Sequence, residues 1–223
     1  MERKPVIATH TAASRRGGIE INKVLRNTYM LLGMTLLFSA ATAGVAMALG
    51  IGRMTGLVLT LVGFGLLFVV NRTADSEKGI LAVFAFTGVM GAALGPILNH
   101  YVGLADGPQL IMQALGGTAI VFFALSAYVL TTRKDFSFMG GFLFVGLIVA
   151  LVASIALMFF HAPAAQMALS GGIVLLMSGF ILYDTSRIIH GGETNYIRAT
   201  VSLYLDIYNL FTSLLALLGM SDD

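Results

Sequence analysis

Apolar runs of about 20 residues, divided by short polar joints, fill the chain from residue 28 to residue 219. A run of that length crosses a hydrocarbon core about 30 Å thick as a single helix. The pattern predicts spans over residues 28–49, 54–70, 79–98, 110–130, 138–160, 164–183 or somewhat beyond, and 199–219, the last less apolar than the others. Gly50-Ile51-Gly52-Arg53 is so short a joint that the first two spans form a hairpin. Residues 99–109 contain Gly103, Gly107 and Pro108, which break helices, and Pro163 restarts the chain before the sixth span. The expected fold is all-α membrane: a seven-transmembrane-helix bundle forming one domain, 28–220, behind a polar and basic N-terminal tail, 1–27.

Composition agrees with that reading. The chain is 57% hydrophobic and 11% charged, against roughly 25% charged in a soluble domain. Of its 13 Lys and Arg, twelve fall in the tail and in the second, fourth and sixth joints; only Arg53 falls on the other side. The positive-inside rule then places the N-terminus in the cytoplasm and the C-terminus on the opposite side, which requires an odd number of spans. The same distribution makes the positive charge a matter of topology, and no nucleic-acid partner is expected. The tail lacks an apolar stretch ending in a small-residue cleavage site, so a removable signal peptide is not expected. Cysteine is absent, which excludes disulfides, thiolate metal sites and cysteine nucleophiles.

Small residues are dense within the spans. Gly91 and Gly95 have the four-residue spacing that lets helix backbones touch in lipid.

Ionisable groups inside a bilayer cost about 2.5 to 3.5 kcal/mol on insertion scales, so the few that persist usually line a cavity or pathway. Asp206 is such a group, set in Ser-Leu-Tyr-Leu-Asp-Ile-Tyr-Asn within the last span, and Asp184 is the second, near the cytoplasmic end of the sixth. If the sixth helix continues to the Gly191-Gly192 break, Asp184 lies about 10 Å from that break, and Asp206 lies equally far into its own helix. Consecutive antiparallel helices usually neighbour each other, so the two carboxyl groups can meet. Two carboxylates in one site are costly to ionise together and titrate as a unit. Asn209 shares the face of Asp206, Tyr183, Tyr204 and Tyr208 offer hydroxyls, and Arg72 and Arg187 are the cations within reach. Blander readings stand beside these: Asp184 as an interfacial cap paired with Arg187, and Asp206 as a buried structural hydrogen bond.

Other chemistry is not supported. His190 and Glu193 share one Gly-rich joint, but His10, His100 and His161 are scattered, and a zinc site needs a third ligand in place. Neither a Gly-x-Ser-x-Gly sequence nor a Ser-Lys pair occurs inside a span, and Gly116-Gly117-Thr118 has no lysine after it to make a phosphate loop. An enzyme is not expected.

Several stretches carry a resemblance: Lys23-Val-Leu-Arg-Asn-Thr-Tyr29, Phe84-Ala-Phe-Thr-Gly88, Leu94-Gly-Pro-Ile-Leu98, Ser126 to Asp135, and above all His190-Gly-Gly-Glu-Thr-Asn-Tyr-Ile-Arg-Ala-Thr-Val-Ser-Leu-Tyr204. Over essentially its whole length the chain resembles the Bax inhibitor-1 (TMBIM) family, in its bacterial YccA-like branch. The resemblance implies a bundle whose last helix is central and wrapped by the other six, in a bacterial inner membrane, which makes the side of the C-terminus the periplasmic one. It further implies a pH-sensitive Ca²⁺ leak channel or carrier in which Asp184 and Asp206 form the gate and pH sensor and Arg72 the latch. Asn209, Arg187 and Tyr183 would support the pair. Calcium prefers six to eight oxygen ligands, so binding by two carboxylates is weak and transient, and no resident cofactor is expected. The alternative implied by the resemblance is a non-transporting modulator of the membrane-anchored ATP-dependent protease FtsH, which would grasp the tail. Lipid and a cation are the other expected partners.

Overall fold

The computed structural model describes residues 7–160 and 162–221, with side chains described for 20–160 and 162–220. Within them lie seven α-helices: α1 (Ile7–Ala48), α2 (Arg53–Thr73), α3 (Lys78–Val102), α4 (Gly107–Thr132), α5 (Gly140–Phe159), α6 (Pro163–Ile189) and α7 (Tyr196–Ser221), with a 3-10 turn, Ser137–Met139, leading into α5. All seven are long and apolar enough to cross a membrane. Each predicted span is present. The helices overrun the apolar runs because polar residues at the interface continue a helix readily, and α1 extends back well into the polar stretch. The tail's first six residues, the side chains before residue 20, His161 and the last two residues lie outside the described residues.

The ends of the helices follow from local chemistry. Pro108 and Pro163 stand in the first turns of α4 and α6, where a missing N–H costs nothing. After α6, Gly191 takes φ +76°, and Gly192 and Glu193 then donate their N–H groups to the Arg187 carbonyl at 2.8 and 3.1 Å. Only glycine adopts that conformation without strain, so the Gly-Gly pair is what turns the chain. Asn195 caps α7, its Oδ1 accepting from the N–H groups of Ile197 (2.8 Å) and Arg198 (3.2 Å).

The centre of the bundle is α7, approached by α1, α2, α3, α4 and α6. The expectation of six helices around it needs one correction, since α5 packs on α6 and the 3-10 turn and does not reach α7. Only Leu143 of α5 is buried; with apolar side chains all round and lipid as solvent, nothing drives that helix inward. By contrast α1 and α3 lie very close. A side chain at Gly91 would collide with the Ser39 carbonyl, and one at Gly95 would lie 2.6 Å from the Ala46 Cβ. The four-residue glycine spacing thus lets two backbones pack.

At one end of the bundle the α2–α3, α4–α5 and α6–α7 joints are tied together. Asn195 Nδ2 donates to the Ala74 carbonyl (2.9 Å) and to Asp75 Oδ1 (2.8 Å), and Arg198 pairs with Asp75 at 2.6 Å. On the other flank the Phe136 N–H donates to Ser186 Oγ at 2.9 Å. His190 reaches the Arg133 carbonyl at 3.1 Å and the Ser186 carbonyl at 2.9 Å. The α6–α7 joint is therefore the hub of the basic end.

Candidate functional site

The structure brings Asp184 and Asp206 together: their carboxyl groups face each other within hydrogen-bonding reach between α6 and α7. The antiparallel hairpin does this, because Asp184 precedes the Gly191-Gly192 turn and Asp206 follows it at a comparable depth. Asp206 is buried, 5% exposed, and its Oδ2 has no hydrogen-bond donor among the described residues. Two ionised carboxylates cannot hydrogen-bond to each other, whereas a pair holding one proton can.

The cation beside the pair is Arg187. Its guanidinium lies 3.8 Å from Asp184 and 3.8 Å from Glu193, donates to the Gly192 carbonyl at 3.1 Å, and stands 5.6 Å from the centre of the Tyr183 ring. Arg187 therefore spans the distance from the pair to the α6–α7 joint. Arg72 is not brought to the site. It is exposed at the end of α2, makes no ion pair among the described residues, and sits on a helix that packs mainly against α3.

The supporting polar residues are disposed differently from one another. Asn209 Nδ2 donates to the carbonyl of Leu205, one turn back, at 2.8 Å. Tyr183 turns away from α7: a side chain at Gly140, at the start of α5, would lie 3.0 Å from the Tyr183 ring. Tyr204 occupies the opposite flank of α7, its hydroxyl 2.7 Å from Ser39 Oγ and 3.3 Å from the Thr87 carbonyl to which it donates. Sequence reasoning passed over three buried hydroxyls that lack partners, those of Tyr29, Ser126 and Thr185. Ser126 and Thr185 lie near the basic ends of α4 and α6. Hydroxyls are common in spans, so no pattern marked them.

Among the described residues, no group of three or more His, Asp or Glu comes together in a way that could hold a metal ion. Two carboxylates can meet a passing cation but do not enclose one.

At the membrane boundary Asp135 belongs to the α4–α5 joint. The Ser137 N–H donates to its Oδ1 at 2.8 Å. That hydrogen bond, helped by the Ser137 side chain and the nearby His190, holds its carboxyl below the ordinary value.

Comparison with known proteins adds the following. The profile of the family described as "Inhibitor of apoptosis-promoting Bax1" matches residues 21–223. The chain is 54% identical over 204 residues to "Modulator of FtsH protease YccA" of Escherichia coli K12, covering 91% of this chain and 92% of that one. The same identity and coverage relate it to "Inner membrane protein YccA" of Escherichia coli O6:H1. It is 51% identical over 216 residues to an "Uncharacterized membrane protein" of Vibrio cholerae, with 96% of both chains covered.

Proposed function

Because the chain belongs to the Bax inhibitor-1 family, we propose that this multi-pass inner-membrane protein modulates an FtsH-type membrane-anchored protease. The observation that carries the reading is 54% identity across 91% of the chain to a relative named for that role. At such identity and coverage the fold is shared across nearly the whole chain. On this reading the basic end faces the cytoplasm, as the positive-inside rule requires, and presents the α6–α7 hub together with the tail to a cytoplasmic protease. No catalytic step is assigned to the chain. In vesicles holding FtsH and a membrane substrate, adding this chain changes the rate of cleavage, and deleting residues 1–19 removes the effect; a rate indifferent to the chain refutes the proposal.

A second reading rests on a different observation, the Asp184–Asp206 contact. In it the chain is a pH-sensitive leak channel or carrier for a cation such as Ca²⁺, gated by the pair. With one proton shared the carboxyl groups bind each other and hold α6 to α7. Loss of that proton sets two negative charges against each other, offset in part by Arg187. Calcium is here the cargo, met by two carboxylates and otherwise by water. Flux of Ca²⁺ from vesicles tests it: Asp184→Asn and Asp206→Asn each alter permeation and its pH response, and deletion of residues 1–19 leaves both intact. Unaltered flux in both variants refutes the gate.

A further inference from the structure

We propose that the groove between α1, α3, α4 and α7 holds one acyl chain of a membrane phospholipid, taken from the leaflet on the side of the α1–α2 joint. The groove has a volume of about 460 Å³ and runs along α1 from Leu36 to Met47, with Leu98 and Ile111 near its mouth and Phe122 and Tyr204 at its inner end. No charged residue lines it. Three of its hydroxyls are engaged, Ser39 with Tyr204 at 2.7 Å and Thr118 with the Ala114 carbonyl at 2.7 Å, and the Tyr208 hydroxyl on its wall makes no hydrogen bond among the described residues.

Three observations select the occupant. Size comes first. An apolar cavity of about 150 Å³ takes up one benzene, so a volume about three times larger has room for on the order of eighteen carbons. Depth is the second. Eleven residues of helix at about 1.5 Å each give about 16 Å, close to half of a hydrocarbon core of about 30 Å, which is one leaflet. Access is the third. Helices α1 and α4 both line the groove, their backbones nowhere approach within 8 Å, and Ala40, Gly44, Leu115 and Phe123 on its walls are exposed, so that side is open to the bilayer. Towards the basic end it is closed, where the rings of Tyr29 and Phe122 stand 6.0 Å apart.

Chemistry excludes the competing occupants. Water needs about two to four polar partners to stay in a cavity, and the one unengaged hydroxyl here, that of Tyr208, does not supply them. A cation finds no carboxylate there: Asp206 is two residues from Tyr204, about 200° round α7, and faces α6. A helix of a partner, about 10 Å across with its side chains, would need a groove open along its whole length, and this one ends at Phe122 and Tyr204.

Gly44 supplies the test, because it borders the groove and an added Cβ there meets nothing within 4 Å. Gly65 on α2 has equal freedom but lies outside the groove. The parent chain, Gly44→Phe and Gly65→Phe are reconstituted in palmitoyl-oleoyl phosphatidylcholine, extracted in mild detergent and gel-filtered, and the retained phospholipid is counted by phosphate analysis. The parent and Gly65→Phe retain about one phospholipid per chain, and Gly44→Phe loses affinity on the order of tenfold. Circular dichroism melting confirms that each variant is folded, and Ala119→Phe, which fills the groove from α4, serves should Gly44→Phe not fold. Equal retention in all variants, no retained lipid in the parent, or a co-purifying polypeptide displaced by Gly44→Phe would each overturn the proposal.

Discussion

Asp184 on α6 and Asp206 on α7 face each other within hydrogen-bonding reach, with one oxygen of Asp206 lacking a donor from the described residues. An amide at position 206 supplies its own donor. Asp206→Asn is therefore expected to fold with stability close to the parent. Asp206→Ala removes the carboxyl that faces Asp184 and leaves it Arg187 at 3.8 Å, and loss of one partner of a largely buried polar group costs about 1–3 kcal/mol. Thermal melting of the two variants side by side measures the difference; equal melting temperatures would mean that the carboxyl contact contributes nothing to the fold.

Arg187 and Arg72 are expected to behave oppositely. Arg187 touches Asp184, Glu193, the Gly192 carbonyl and the Tyr183 ring, so Arg187→Gln should destabilise the chain by about 1–2 kcal/mol, each partly exposed ion pair contributing up to about 1 kcal/mol. Arg72→Gln should change stability by no more than about 0.5 kcal/mol. A melting series in rising salt checks the assignment: the Arg187 effect shrinks as ions screen it, and the Arg72 variant shows no salt-dependent difference from the parent.

This contrast marks how far the sequence could be read. Seven spans were legible because apolar runs of membrane length have few other meanings, and the paired aspartates were legible because carboxylates are rare within such runs. Depth along a helix follows from residue number at a fixed rise, which is why Asp184 and Asp206 could be matched. Rotation of one helix against another does not follow. Arg72 has a suitable depth but sits on a helix packed mainly against α3, and Tyr183 lies beside Asp184 in sequence yet turns toward α5. Asn209 shares a face with Asp206 but spends its amide on the Leu205 carbonyl, a local competitor that sequence spacing cannot exclude. The position of α5 outside α6 was equally hidden, since an all-apolar helix carries no stripe to show which side is inward.

Gly91 and Gly33 offer a test of the packing between α1 and α3. A methyl group at Gly91 meets the Ser39 carbonyl, and one at Gly33 meets nothing within 4 Å. Gly91→Ala should cost about 1–3 kcal/mol, the usual range for overpacking. Gly33→Ala should be neutral or stabilising by up to about 1 kcal/mol, because alanine is the better helix former. Chemical denaturation in detergent micelles distinguishes the two.

Acid should loosen the α4–α5 joint in a particular way. Asp135 is held below its ordinary value of 3.8 chiefly by the Ser137 N–H, so the stabilisation it provides is present above that value. It is lost as pH falls through the lower value that the carboxyl has in the folded chain. Asp135→Ala should accordingly melt below the parent near neutrality, and the gap should close at strongly acid pH. A gap that widened with acid would contradict the assigned hydrogen bond.

The measurement that bears most directly on the proposed function is the initial rate at which FtsH cleaves a membrane substrate in vesicles as this chain is titrated in. The proposal predicts a rate that moves steadily with added chain and then saturates, with residues 1–19 required for the change. A rate that stays flat across the whole titration, with the chain folded and correctly inserted, would contradict it.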